Sequence, residues 1–270
     1  MKYRENIKNS RRIIIKIGTS TLTYDNGNIN LRRIEKIAMS ISDLINSGKE
    51  IILVTSGSIG VGVSKMNLKE RPKTIREKQA AASVGQVALM NIYSKLFGEY
   101  GYSVGQILLT RDIIECERSR NNVANTFETL LECGIIPIVN ENDSVSIDEI
   151  ENISRFGDND NLAAIVSTIV DANLLIILSD IDGFYDSNPR TNKDAKLIKE
   201  VKYITEEVIN FAEGAGSNLG TGGMETKIHA AKLVTDNGTN MILANGKDPS
   251  KLIDILNGDD VGTLFLRKER

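Results

Sequence analysis

Six short runs of this chain are mainly apolar and do not alternate: Ile13 to Ile17, Ile51 to Val54, Val104 to Leu109, Ile135 to Val139, Leu174 to Leu178 and Met241 to Leu243. A strand with one wet face alternates apolar and polar residues, so unbroken runs rich in Ile, Leu and Val describe strands covered on both faces. Between them lie amphipathic stretches of helical period: Leu31 to Ile45 behind a possible cap at Asn30, Thr74 to Tyr100, Ser119 to Glu132, Asn161 to Val170 and Gly223 to Thr235. Strand and helix therefore alternate. The pattern predicts an α/β fold, a three-layer α/β/α sandwich with a mostly parallel central sheet and ligands at the carboxyl ends of the strands. A final strand is expected at Thr263 to Leu266.

With 270 residues and four prolines the chain shows no linker that would separate independent domains. It reads as a single domain over 1–270 made of two lobes, about 1–170 and about 171–270. A net charge of -3 and spread basic residues argue against nucleic acid as a partner. The apolar stretch at Ile13 to Ile15 is broken by Lys16, and no run reaches the length of a membrane span, so the expectation is a cytoplasmic protein without a membrane partner. Cys116 and Cys133 lack metal-site spacing and lie in segments that look helical, which reads as reduced thiols. The lone His229 cannot build a metal cluster, and no protein metal site is expected.

Chemistry concentrates where strands end. Gly220-Thr221-Gly222-Gly223 precedes a helical pattern, and Lys227, one turn in, would swing back over the unpaired N–H groups of the first turn, forming a phosphate site. A flexible surface loop is the plain alternative for such a run. The chain has no P-loop, because Gly48-Lys49 and Gly246-Lys247 are followed by Glu50 and Asp248, and no dinucleotide fingerprint, because Gly60 and Gly62 are followed by Lys65 and Gly214 and Gly216 by Leu219 where the third glycine would stand. Lys16 interrupts a strand that otherwise reads as wholly buried; it must meet an anion or a polar cleft, unless it snorkels from an edge. Gly18, Thr19 and Ser20 follow it directly. The second strand runs into Thr55-Ser56-Gly57-Ser58, where Ser56 or Ser58 could also serve as an N-cap.

The fourth strand leads into Asn140-Glu141-Asn142-Asp143, and Asp158-Asn159-Asp160-Asn161 opens the next helix. Some of these Asx residues will be caps or turns. Asp180 and Asp182 close the fifth strand, where a turn is the plain reading. Ser144 to Asp158 is polar with scattered Val and Ile, as a hairpin, a lid or a disordered loop would be. Two lysines, hydroxyl turns and carboxylates on one sheet edge suit phosphoryl transfer between anions, which needs cations on both sides and little covalent chemistry.

At these residues the chain resembles the amino-acid kinase family, and within it the branch that phosphorylates the γ-carboxylate of glutamate at the start of proline synthesis. The matching segments are Ile15 to Ser20, Val54 to Gly57, Gly105 to Thr110, Pro137 to Asp143, Gly157 to Asn161 and Gly220 to Lys227. The resemblance implies that Lys16 and Lys227 stabilise the transferring group and that Asp160 holds them in register. It puts Ser56, Gly57, Asn140, Asp143 and Asn159 on the substrate L-glutamate. Lys16, Ser179, Asp180, Thr221, Gly222, Gly223, Met224, Glu225, Thr226 and Lys227 fall on ATP, with Mg²⁺ as the accompanying ion. Ser179 stands where relatives commonly carry threonine, with the hydroxyl kept.

Further implications of the resemblance are an N-terminal lobe for the amino acid and a C-terminal lobe for the nucleotide. It also implies a homo-oligomer and proline as a feedback inhibitor. A C-terminal PUA domain, common in relatives, is not expected here. A kinase for aspartate or N-acetylglutamate is the rival within the family, and a non-catalytic sensor is the rival outside it. Asp143 speaks for a free α-ammonium, and the presence of both lysines speaks for catalysis.

Overall fold

A computed structural model describes residues 2–24, 27–146, 159–189, 191–213 and 223–268. Its centre is an eight-stranded sheet of order β3-β4-β2-β1-β5-β9-β10-β8. The strands are β1 (Arg12–Ile17), β2 (Glu50–Thr55), β3 (Val104–Leu109), β4 (Ile136–Glu141), β5 (Leu174–Ser179), β8 (Glu200–Val201), β9 (Asn240–Asn245) and β10 (Thr263–Phe265). A separate ribbon pairs β6 (Phe184–Tyr185) with β7 (Leu197–Ile198). From β3 to β9 every pairing is parallel, whereas β10 runs antiparallel to β9, with Leu264 opposite Ile242.

The unbroken apolar runs are the strands, and alternate residues of one run fill two different cores. Ile13, Ile15 and Ile17 of β1 pack with Ile34, Ile37 and Ile41 of the helix Leu31–Asn46 and with Leu89, Tyr93 and Phe97 of the helix Ile75–Glu99. Ile14 lies on the other face, with Leu162 and Val166 of the helix Asn159–Ile169 and Ile228, Ala231 and Val234 of the helix Met224–Asp236. Helices on both faces of a mostly parallel sheet make the expected three-layer α/β/α sandwich.

The helix ends obey local chemistry. Asn30 accepts from the Arg33 N–H, as its cap position predicts. Thr74 and Glu77 form a reciprocal capping box that starts the long helix Ile75–Glu99. Cys116 and Cys133 flank the helix Glu117–Glu132 as its caps rather than lying within it, and both are exposed and outside any disulfide.

Several elements escaped the sequence reading: the helices Glu206–Glu213 and Lys251–Leu256 and the two-residue strands β6, β7 and β8. These are too short for periodicity to mark them. Within the described residues, no helix is long and apolar enough to cross a membrane.

Because β1, β2, β4 and β5 are parallel, their carboxyl ends share one edge. The winding reverses at β1, with β2, β4 and β3 on one side and β5 and β9 on the other. A crevice at such a switch point is where open α/β sheets bind ligands. Lys16 stands on β1 at that point, in register with Val54 of β2 and Ile177 of β5.

Candidate active site

Lys16, Asp160 and Lys227 meet at this edge. Lys16 Nζ lies 2.6 Å from Asp160 Oδ1 and Lys227 Nζ lies 3.0 Å from Asp160 Oδ2. Asp160 is fully buried, and each lysine side chain is 8% exposed. The three residues come from separate elements: the end of β1, the first turn of the helix Asn159–Ile169, and the first turn of the helix Met224–Asp236. Burial alone would raise the Asp160 pKa, but the Lys16 and then the Lys227 ammonium outweigh it and hold the carboxyl below the usual carboxylate range. Two ammonium groups thus converge on one buried carboxylate at the carboxyl edge of the sheet. An anionic ligand is the natural complement.

The helix that carries Lys227 begins where the glycine run ends, with Gly223 as its N-cap. Thr226 closes the first turn by donating to the Gly223 carbonyl at 2.8 Å, and its hydroxyl lies 3.4 Å from Asp160 Oδ2. Met224 is buried, and Glu225 faces His229 one turn on, at 3.5 Å. Gly220, Thr221 and Gly222 lie outside the described residues, as does 147–158, which contains most of the 144–158 segment singled out in the sequence. Ser179 is buried at the end of β5 and donates to Asp180 Oδ1 at 3.2 Å; Asp180 itself is exposed. Ser179 stands in register with Asn245 of β9, which donates to Asp182 Oδ1 at 2.6 Å.

A second group of side chains, neutral apart from Asp143, gathers around the ends of β2 and β4. Asn159 Nδ2 donates to the Thr55 carbonyl at 3.0 Å, to Ser56 Oγ at 2.7 Å and to Asn140 Oδ1 at 3.1 Å. Asn140 Nδ2 in turn donates to Gln86 Oε1 at 3.0 Å. Ser58 Oγ donates to Asp143 Oδ2 at 2.6 Å. All six side chains are buried. Two of their acceptor oxygens, Asp143 Oδ1 and Asn159 Oδ1, have no hydrogen-bond partner among the described residues. Buried acceptors left open in this way suit a ligand that brings N–H donors, such as an ammonium group.

The serines of this turn are not helix caps. Gly57 caps the helix Ser58–Lys65 with φ at 93°, a left-handed conformation suited to glycine, and no side chain bonds the first turn. Ser56 and Ser58 are thereby released to bond Asn159 and Asp143.

Sequence reasoning missed Gln86 and placed Ser58 in a hydroxyl-bearing turn without giving it a partner. Gln86 sits on the buried stripe of the helix Ile75–Glu99 with Ala82, Leu89 and Tyr93, at helical spacing. A polar residue on an otherwise apolar stripe was the available signal. The described residues include no group of three or more His, Cys, Asp or Glu able to hold a metal ion. Asp160, the buried carboxylate nearest the lysines, is already taken by two ammonium groups.

The amino acid kinase family profile matches residues 11–245. Among curated proteins, the glutamate 5-kinase of Clostridium perfringens is 66% identical over 266 residues, covering 98% of this chain and 99% of that protein. The glutamate 5-kinase of Listeria innocua is 59% identical over 266 residues, covering 98% and 96%. Among solved structures, carbamate kinase from Giardia lamblia bound to AMP-PNP superposes with a TM-score of 0.66 at 16% identity, covering 97% of this chain and 100% of that one. UMP kinase from Bacillus anthracis gives 0.63 at 17%, covering 96% and 97%. These two likenesses concern the fold.

Proposed function

The chain belongs to the amino acid kinase family, and we propose that it transfers the γ-phosphoryl group of ATP to the γ-carboxylate of L-glutamate, giving γ-glutamyl 5-phosphate, the first step of proline biosynthesis. The observation that carries this reading is the adjacency of two chemistries on one helix turn. Asn159 belongs to the group with open acceptors, and Asp160, the next residue, anchors the two lysines.

In this reading the α-ammonium of glutamate meets Asp143 Oδ1 and Asn159 Oδ1, while Ser56, Gly57 and Asn140 shape the surrounding pocket. The γ-carboxylate then points toward Lys16 and Lys227. One of its oxygens forms a bond to the γ-phosphorus as the bond from that phosphorus to the β-bridging oxygen breaks and ADP leaves. No general base is needed, because the acceptor is ionised near neutral pH. The lysines offset the repulsion between carboxylate and phosphate and the charge that develops on the transferring group, and Asp160 fixes both ammoniums in place beforehand.

Ser179, Asp180 and the stretch Thr221 to Lys227 serve the nucleotide, so the two lobes divide the substrates between them. Mg²⁺, when bound with ATP, would offset the charge of the phosphates, as that ion is commonly held by substrate phosphates and water. We further read the protein as cytoplasmic and homo-oligomeric. Proline, which shares the α-nitrogen and α-carboxylate of glutamate, is the expected feedback inhibitor.

The test is ADP release from MgATP with glutamate, aspartate, N-acetylglutamate or carbamate, with hydroxylamine present to trap an acyl phosphate. A hydroxamate formed with glutamate alone supports the reading. Turnover with another acid alone replaces the substrate, and ATP binding without turnover favours a sensor.

A further inference from the structure

We propose that Gln86 is a positioning residue for the amino-acid side of this site: acting through Asn140, it holds in place the Asn159 amide whose Oδ1 meets the substrate ammonium. The inference rests on the reading of the site as one for glutamate.

An amide offers a donor edge and an acceptor edge of nearly equal shape, so its orientation is fixed only by its partners. In this site the partners form a one-way series. Gln86 Oε1 accepts from Asn140 Nδ2, which turns Asn140 Oδ1 toward Asn159, where it accepts from Asn159 Nδ2. With its nitrogen held by Asn140, Ser56 and the Thr55 carbonyl, Asn159 keeps Oδ1 open. A substrate ammonium needs that oxygen, and the opposite orientation would set an NH₂ group against it.

The Thr55 carbonyl, which can only accept, gives the series its sense, and Gln86 is suited to anchor its other end. It is 9% exposed, stands on a long helix, and its neighbour Gly85 lies against the first turn of the helix Ser58–Lys65. A Cβ added at Gly85 would fall 1.7 Å from the Ser58 carbonyl oxygen, so the glycine permits an approach no other residue would. The same helix turn therefore sets both Ser58, which holds Asp143, and Asn140, which holds Asn159. Gln86 Nε2 has no partner among the described residues, so the one bond the side chain makes is the one its oxygen accepts from Asn140. Keeping an amide buried with its nitrogen unpartnered is unfavourable, and an acceptor that holds Asn140 in place is what the arrangement gains.

The experiment compares wild type, Gln86→Met and Gln86→Glu in steady-state kinetics with glutamate and with glutarate, which has both carboxylates and no ammonium. Gln86→Met removes the acceptor at nearly constant volume. It should raise the KM for glutamate roughly tenfold, leave the KM for ATP unchanged, and narrow the preference for glutamate over glutarate by a similar factor. Gln86→Glu retains an acceptor oxygen at the same reach and should retain most of the preference.

Gln86→Ala is the second acceptor deletion, used if Gln86→Met does not fold as judged by thermal melting. A folded deletion with wild-type preference overturns the proposal, as does a Gln86→Glu enzyme that loses as much preference as the deletion. Failure of the wild-type enzyme to use glutamate would instead overturn the underlying reading, so the two failures are distinct.

Discussion

Asn159 and Asp160 are consecutive, both buried, and belong to opposite kinds of chemistry. Asn159 is held by three acceptors in a group of amides and hydroxyls, where each bond fixes an orientation. Asp160 is held by two ammonium groups, where the bonds fix charge in space. The comparison separates two tasks. A hydrogen-bonded group reads the shape and the donor pattern of one acceptor, whereas a charge cluster acts on any phosphoryl group brought to it. Substitutions in the two regions should therefore differ in kind as well as in size.

The largest effects belong to the charged region. Lys16→Ala and Lys227→Ala should each lower kcat by about 10³-fold while circular dichroism shows a folded protein. Activity within tenfold of wild type would remove that lysine from the reaction. Asp160→Asn leaves two buried ammoniums without their shared counter-ion, and should cost about 3–5 kcal/mol of unfolding free energy in denaturant titrations as well as activity.

Next come changes in the hydrogen-bonded region. Asp143→Asn should raise the KM for glutamate roughly 10- to 100-fold with kcat nearly preserved, because it weakens ground-state binding of the ammonium. A large fall in kcat at unchanged KM would move Asp143 into the charged region's role. Gly85→Ala forces the two packed helices apart and should destabilise by about 1–3 kcal/mol, with the glutamate KM rising more than that for ATP. Equal changes in both KM values would mean that the disturbance spreads beyond the hydrogen-bonded region.

The smallest expected effect is a null result against pH. The Asp160 pKa is lowered in the folded state, so its stabilising contribution is fully present above the unfolded carboxylate pKa and is lost only as pH falls through the lowered value. The difference in unfolding free energy between wild type and Asp160→Asn should accordingly stay constant between about pH 8 and pH 5. A difference that shrinks near pH 6 would mean that burial, rather than the lysines, governs this carboxyl.

The sheet was legible because its strands are buried on both faces, and unbroken apolar runs such as Leu174 to Leu178 follow from that burial. Helices of three or more turns with one apolar face were legible for the same reason, and Asn30 and Thr74 marked two of their starts. The short elements that flank β9 and β10 were not, since two to eight residues carry too little periodicity. In the site, Lys16 stood out because a lysine inside an isoleucine run demands a partner. That the partner is Asp160, shared with Lys227, depends on three segments far apart in sequence and needs the fold. Ser58 and Gln86 were hidden for a related reason: their partners Asp143 and Asn140 lie 85 and 54 residues away.

The most direct test of the division between the two regions is the hydroxamate yield from glutamate and from glutarate, measured side by side for wild type, Lys227→Ala and Asp143→Asn. The account predicts that Lys227→Ala lowers both yields by the same factor and leaves the preference for glutamate intact. It predicts that Asp143→Asn erodes that preference while retaining most of the rate at saturating substrate. A preference altered by Lys227→Ala, or untouched by Asp143→Asn, would contradict it.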